Sequence, residues 1–342
     1  MKTSRIVRFH RTGEPEVLQI DECEDSAPGS HEITVSIQAF GLNRAEVMLR
    51  KGAYAFDPIF PCRIGGEGTG IVSAVGSAIS DFEIGDKVAV VPFAIADKYG
   101  YWQDATGKYG CYAETITVPQ HAVVAVPLSL SVVKSAASWM QYLTAWGGLV
   151  HYGKINPNDN VLITAASSSA ALGGMQLCKN IGATAIAVTT SPNKSDQLIA
   201  AGADHVVIAG QTDYSDEIID ITKGQGVNLI YDPVSGALTD TLLKAAAPEA
   251  RVICYGNLNP DNVNFPALLA LTKRININFY SLYDITRRPE LLAMGHKYVY
   301  QQLEASIFDP IIDSVFQGLE SCSDAHHRME SNQQFGKIVV EL

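Results

Sequence analysis

Several absences narrow the field before any motif is read. The sequence holds no run approaching the roughly 20 apolar residues of a membrane-spanning helix. The opening stretch MKTSRIVRFHRTGEPEVL has no apolar core and no small-residue cleavage site. No secretory signal is expected there, and a cytoplasmic location is. Its six cysteines, Cys23, Cys62, Cys111, Cys178, Cys254 and Cys322, lie far apart with no CxxC pair. That spacing argues against a disulfide framework or a cysteine-rich zinc lobe. Positive charge is scarce: 25 Lys and Arg stand against 36 Asp and Glu. The resulting net charge of −11 disfavours a nucleic-acid backbone as the main partner. An anionic cofactor is still admissible, because a few local donors outweigh distant charge. There are no repeats, linkers or low-complexity tracts.

What is present suggests two domains, since 342 residues exceed one ordinary core. Residues 1–127 alternate short apolar runs with Gly, Pro and Asp turns, as in EITVSIQAF (32–40), GTGIVSAVG (68–76) and GDKVAVVPF (85–93). Such spacing predicts a β-barrel or sandwich. From about 128 the rhythm changes. A helical stretch, SVVKSAASWMQYLTAWGGLV (131–150), leads into alternation of buried-type strands and helices from VLIT (161–164) to RVICYG (251–256). That pattern predicts βαβ units and an α/β, doubly wound parallel sheet. ININFYSLYD (275–284) reads as one more strand, and GKIVVEL (336–342) as a strand returning to the first domain. The expected division is therefore 1–127 with 307–342, and 128–306.

The turn TAASSSAALGG (164–174) joins the first strand of this series to its first helix. A dinucleotide pyrophosphate binds at such a turn, where backbone N–H groups and the helix dipole face the phosphates. The glycine fingerprint is missing, but Ser168, Ser169, Ala170 and Ala171 are small and the serines carry donors. A serine helix cap explains the turn alone equally well. At the end of the second strand, where an acid would select NAD, stands Thr189, followed by Ser191 and Lys194. Two hydroxyls and an ammonium suit a 2′-phosphate, so NADPH is the expected cofactor. A solvated helix start, capped by Ser191 with Pro192 at its first position, fits the same residues.

Taken in order, AFGLNRAEVMLRKGAY (39–54), PCRIGGEGTGIVSAVG (61–76), GDKV (85–88), YAE (112–114), QYLTAW (141–146), GADHVV (202–207), YDPVSG (231–236) and QQFGKIVV (333–340) resemble the medium-chain dehydrogenase/reductase superfamily. The likeness spans the whole chain and points to its zinc-free quinone oxidoreductase and enoyl or enone reductase branch. It implies a GroES-like β-barrel catalytic domain and a Rossmann cofactor domain, with the active site in the cleft between them. Zinc-dependent members place ligands where this chain has Gly41-Leu42-Asn43, and at Gly66 beside Glu67. With those ligands missing, no metal is expected. His326 and His327 are expected on the surface.

By the same resemblance, Tyr54 and Asn43 lie at the substrate, Tyr54 as a hydrogen-bond or proton donor or only as an aromatic wall. Thr144, Tyr255, Gly256, Phe279, Tyr280, Asn332 and Lys337 are implied cofactor contacts. Without a metal, reduction of a quinone or an α,β-unsaturated carbonyl is favoured over alcohol oxidation, because the conjugated carbonyl itself takes up the charge. A zinc-free alcohol or aldehyde reductase, and a non-catalytic NADPH-binding protein, remain as alternatives. The segment 93–110, with Trp102, reads either as an aromatic loop setting specificity or as a plain insertion. Strand 275–284, with Ile275, Ile277, Phe279 and Leu282 and no blocking Pro or Lys, is expected at a sheet edge and in a homodimer contact. The alternative cover for that edge is the helix expected over 287–305.

Overall fold

The computed structural model describes residues 3–25, 27–96, 102–104, 109–210, 213–236, 238–259 and 265–342. Much of the 93–110 segment, namely 97–101 and 105–108, thus lies outside the described residues. The chain separates into two compact units, 1–140 with 285–342, and 141–284.

The first unit is β-rich. Strand Glu32–Gly41 lies at its centre, antiparallel to Gly68–Val75, Thr115–Pro119 and Lys337–Glu341. Its β-branched and aromatic residues Ile33, Val35, Ile37 and Phe40 bury into the core. The glycines of GTGIVSAVG are there for close approach. A Cβ at Gly70 would stand 1.9 Å from the Ser36 carbonyl oxygen, and one at Gly76 would stand 2.0 Å from that of Gly29. A smaller sheet sets Thr3–Phe9 between Leu18–Glu24 and Cys62–Arg63. The strand Lys337–Glu341 does return to this unit, and runs parallel to Ile312–Gln317.

The second unit is a six-stranded, all-parallel sheet. Numbered along the unit, its strands lie in the order 3-2-1-4-5-6: His205–Ile208, Thr184–Thr189, Asn160–Ile163, Val227–Asp232, Ala246–Cys254 and Asn276–Phe279. This is the doubly wound dinucleotide-binding order. Helices cross between strands and cover an apolar core of Leu162, Ile186, Val188, Val207, Ile230 and Val252.

Three expectations need adjusting. The 131–150 stretch is broken into Val132–Ala136, Trp139–Ala145 and a π-helical turn, Trp146–Tyr152. Ser138 turns its hydroxyl back to the Lys134 carbonyl at 2.6 Å, and Gly148 packs so closely that a Cβ there would lie 2.7 Å from the Tyr231 ring. The strand expected over 275–284 is regular only over Asn276–Phe279, and a short helix follows at Tyr283–Thr286. The units divide at 140/141 and 284/285 rather than near 128 and 306. The reason is packing: helix Pro289–Glu304 stacks His296 on Trp139 and donates from His296 Nε2 to the Ala125 carbonyl, 2.8 Å away. Among the described residues no helix is long and apolar enough to cross a membrane.

Candidate active site

In the parallel-sheet unit, the strand Asn160–Ile163 runs into a turn where Ala165 takes a left-handed φ of 47°. Ser168 then caps helix Ser169–Ile181, its hydroxyl accepting from the Ala171 N–H at 3.3 Å. The capping serine leaves the other first-turn N–H groups, at Ser169 and Ala170, without an intrahelical carbonyl to meet. Lys194 comes to the same place from the next βα connection. Its ammonium donates to Ser167 Oγ at 3.1 Å although the residue is only 7% exposed. Thr189 ends the second strand, and its hydroxyl accepts from the Ser191 N–H at 3.1 Å. Pro192 opens a short turn, the helix proper starts at Ser195, and the nearest acid, Asp196, faces solvent. A helix N-terminus, a hydroxyl-rich turn and one ammonium fit a phosphorylated dinucleotide.

Tyr255 follows the fifth strand and stacks on Tyr231 with ring centroids 3.9 Å apart. Burial, then the Asp232 carboxylate, pushes its phenol up, and the Ser168 hydroxyl opposes this. Gly256 lies exposed beside Pro233. Thr144 is buried in helix Trp139–Ala145. Phe279 ends the edge strand and is 76% exposed. The Tyr280 N–H donates to the Cys254 carbonyl at 2.9 Å.

The barrel unit brings together residues that sequence reading left scattered. Asn43 caps helix Arg44–Lys51 in a capping box with Glu46. Its side-chain amide donates to the Gly41 carbonyl, Glu46 Oε1 and Glu67 Oε1, at 3.2–3.3 Å. Its Oδ1 accepts from Lys337 Nζ at 2.6 Å, and the same ammonium pairs with Glu67. Glu46 gathers further donors: the N–H groups of Asn43 and Gly66 at 2.8 and 2.7 Å, and the Tyr112 hydroxyl at 2.8 Å. Glu67 Oε2 accepts from the Met140 N–H at 2.8 Å. Burial pushes the Glu46 carboxyl up against the pull of these donors and of Lys337.

Two of the expected site residues are bonded within the barrel unit. Lys337, expected at the cofactor, is buried with its ammonium committed to Glu67 and Asn43. Asn43, expected at the substrate, has both polar atoms of its side chain engaged internally. Asn332, the other C-terminal cofactor expectation, holds a left-handed φ of 55° and accepts from Arg44 at 2.6 Å. His326 departs from expectation. It is fully buried rather than on the surface, whereas its neighbour His327 is exposed. Since Tyr112 donates to Glu46, His326 Nε2 must donate to Tyr112, 3.2 Å away, and Nδ1 is left without a partner. Burial, then the charge of Arg50, pushes the imidazole down to about 3.

Tyr54 lies three residues beyond this helix, half-buried on the barrel core and edge-on to Phe56 at 5.0 Å. Glu46, Arg50, Tyr112 and His326 were missed from sequence. Only Glu46 left a signal, the Asn-x-x-Glu spacing of a capping box. Among the described residues, no group of three or more His, Cys, Asp or Glu side chains is placed to hold a metal ion.

Comparison with known proteins gives two family models. The alcohol dehydrogenase GroES-like domain matches residues 29–128, and the zinc-binding dehydrogenase model matches 171–297. The human synaptic vesicle membrane protein VAT-1 homolog is 28% identical over 339 residues, covering 94% of this chain and 82% of its own. The quinone oxidoreductase of Salmonella typhimurium is 29% identical over 251 residues, 73% of this chain and 72% of its own. A crystal structure of an NAD-dependent alcohol dehydrogenase superposes with a TM-score of 0.90 at 26% identity, covering 99% of both chains. Escherichia coli quinone oxidoreductase, crystallised with NADPH, gives 0.88 at 24% identity, covering 99% of this chain and 100% of its own.

Proposed function

Because the chain belongs to the medium-chain dehydrogenase/reductase superfamily, in its quinone oxidoreductase-like branch, we propose that it is an NADPH-dependent oxidoreductase that reduces quinones or α,β-unsaturated carbonyls without a metal. The observation that carries this reading is the Lys337 ammonium, bonded to Glu67 and Asn43 where a metal-dependent member would need ligands. A resident cation there disfavours a second one by charge, and Gly66 has no side chain to offer. Without a Lewis acid, a substrate that spreads charge over its own conjugated carbonyl is favoured over a simple alcohol.

Bound NADPH supplies the hydride. The chain's residues do the rest. The N-terminus of helix Ser169–Ile181 and the serine turn hold the pyrophosphate, and Lys194 with Ser191 holds the 2′-phosphate. Tyr255, on its Tyr231 stack, walls the cofactor side. Tyr54 donates a hydrogen bond, and finally a proton, to the carbonyl oxygen as charge develops on it.

The test is loss of nicotinamide absorbance with a quinone, an enone and an aldehyde side by side, using NADPH and NADH. Turnover of the quinone or the enone with NADPH supports the reading. An aldehyde outpacing both would overturn it, as would NADPH binding with no turnover at all. Metal analysis of protein never exposed to chelator should find far less than one zinc per chain.

The same reading includes a homodimer through the sheet edge. Strand Asn276–Phe279 is an edge strand. Beside it in the unit, helix Ala267–Lys273 leaves Leu268 and Leu271 about as exposed as Phe279. An apolar edge of this kind is an aggregation hazard unless covered, and an isologous pairing covers both copies. Light scattering giving the mass of a single chain at micromolar concentration would end the dimer.

A further inference from the structure

Helix Arg44–Lys51 is fastened at both ends by groups from far along the chain. At its start, Asn43 and Glu46 are held by Lys337, Glu67, Tyr112 and the Gly66 N–H. Near its end, Arg50, fully buried, donates to the Gly13 carbonyl at 2.7 Å and pairs with Glu330, which also pairs with Lys51. Arg44 donates to the Met329 carbonyl at 2.8 Å. The helix stops at Gly52, φ +70°, where a Cβ would press on Thr12 at 3.0 Å. Two residues later comes Tyr54.

Burying this many charges is a poor way to gain stability. Apolar side chains of similar volume commonly serve as well or better, while a charge cluster with complementary partners admits few alternative arrangements. The arrangement fixed here is the axial position of one short helix. What that helix delivers at its exit is Tyr54. We propose that Lys337 is a positioning residue for Tyr54: by holding Asn43 and Glu67 it sets helix Arg44–Lys51, and so places the Tyr54 hydroxyl for the reduction. The inference rests on the function proposed above. Lys337 touches neither substrate nor cofactor in this account, and acts only through the helix.

The experiment compares full-length wild type, Lys337→Met, Lys337→Arg, Tyr54→Phe and the Lys337→Met/Tyr54→Phe double variant. Quinone-dependent NADPH oxidation is measured, NADPH binding is followed by fluorescence, and hydrogen exchange is recorded over residues 44–54. Lys337→Met is expected to lower kcat by about tenfold or more and to leave NADPH affinity within about twofold. Lys337→Arg is expected to recover part of the rate. The double variant should be no slower than Tyr54→Phe, because the lysine acts through the tyrosine. Exchange over 48–54 should quicken in Lys337→Met while that of 141–284 holds. Multiplying losses in the double variant, or a Tyr54→Phe enzyme as fast as wild type, would overturn the inference. If Lys337→Met does not fold, Glu67→Gln keeps the volume and the acceptor and should show the same pattern more mildly; wild-type rates and wild-type exchange there overturn it. If the wild type reduces no quinone or enone, the functional reading fails by itself. Exchange over 48–54 then decides the positioning claim, and unchanged rates refute it.

Discussion

The two units are built on opposite interiors. The parallel-sheet unit packs Leu162, Ile186, Val188, Ile230 and Val252 into an apolar core, and its most deeply buried acid, Asp232, stands at the end of a strand. The barrel unit sets Glu46, Arg50, Glu67, His326 and Lys337 inside, each at most 3% exposed. An apolar core tolerates small changes with small losses, since it depends on area and volume. A charged interior is stable only while every partner is in place, because the desolvation of one ion is offset by the next. The first kind of interior is graded and the second is close to all-or-none.

The sharpest way to break this contrast is Lys337→Met. It leaves Glu67 buried without its cation and should cost about 3–5 kcal/mol in urea unfolding. Adding Glu67→Met should recover much of that loss. A single variant within about 1 kcal/mol of wild type would mean that the interior reorganises as an apolar one does. Next comes Lys194→Ala, which removes the ammonium that meets Ser167 at the serine turn. It should weaken NADPH by about 1.5–3 kcal/mol by calorimetry and barely change NADH. Equal losses for both cofactors would refute the 2′-phosphate role.

His326 tests the charged interior by pH. Its folded-state value lies below the unfolded one, so between the two the unfolded chain binds a proton that the folded chain does not. Stability from this group is therefore full above about pH 6.5 and falls as the pH drops toward 3. Between pH 7 and 5 the loss is about 2 kcal/mol, and His326→Gln should remove that part of the slope. An unchanged slope would place the acid sensitivity elsewhere. The smallest effect belongs to the apolar core: Ile230→Val should cost about 1 kcal/mol, with the same value at pH 5 and 7.

The same contrast explains what could be read from the sequence. The sheet unit was legible because its strands are continuous apolar runs punctuated by helices, a pattern written locally. Even the edge position of 276–279 follows from chain order. The place of the serine turn between the first strand and its helix was legible from context, and so was the place of Lys194 just past the second strand. The barrel's strands were legible too, but not its interior. Asn43, Glu67, Tyr112, His326 and Lys337 are spread over nearly 300 residues, and no periodicity marks a charge that will be buried. A Lys at the start of a strand and a His in a polar helix look like surface residues, and His326 was read so. The resemblance put Lys337 and Asn43 near the chemistry; only the packing gave them to Glu67 and to each other.

The barrel is discontinuous in sequence, 1–140 closing with 285–342, and this has a bearing on synthesis. As the chain leaves the ribosome, Glu46 and Glu67 emerge some 270 residues before the lysine that neutralises one of them. The sheet unit, 141–284, is complete while the barrel still lacks the strand that carries Lys337. Domains fold as units in the order they are finished, so the nascent chain carries a folded middle and an open beginning. The last strand then arrives with the charge that lets the first part close. A stop codon a few residues before 337 would therefore leave the sheet unit intact and the barrel with two buried carboxylates and no internal cation between them.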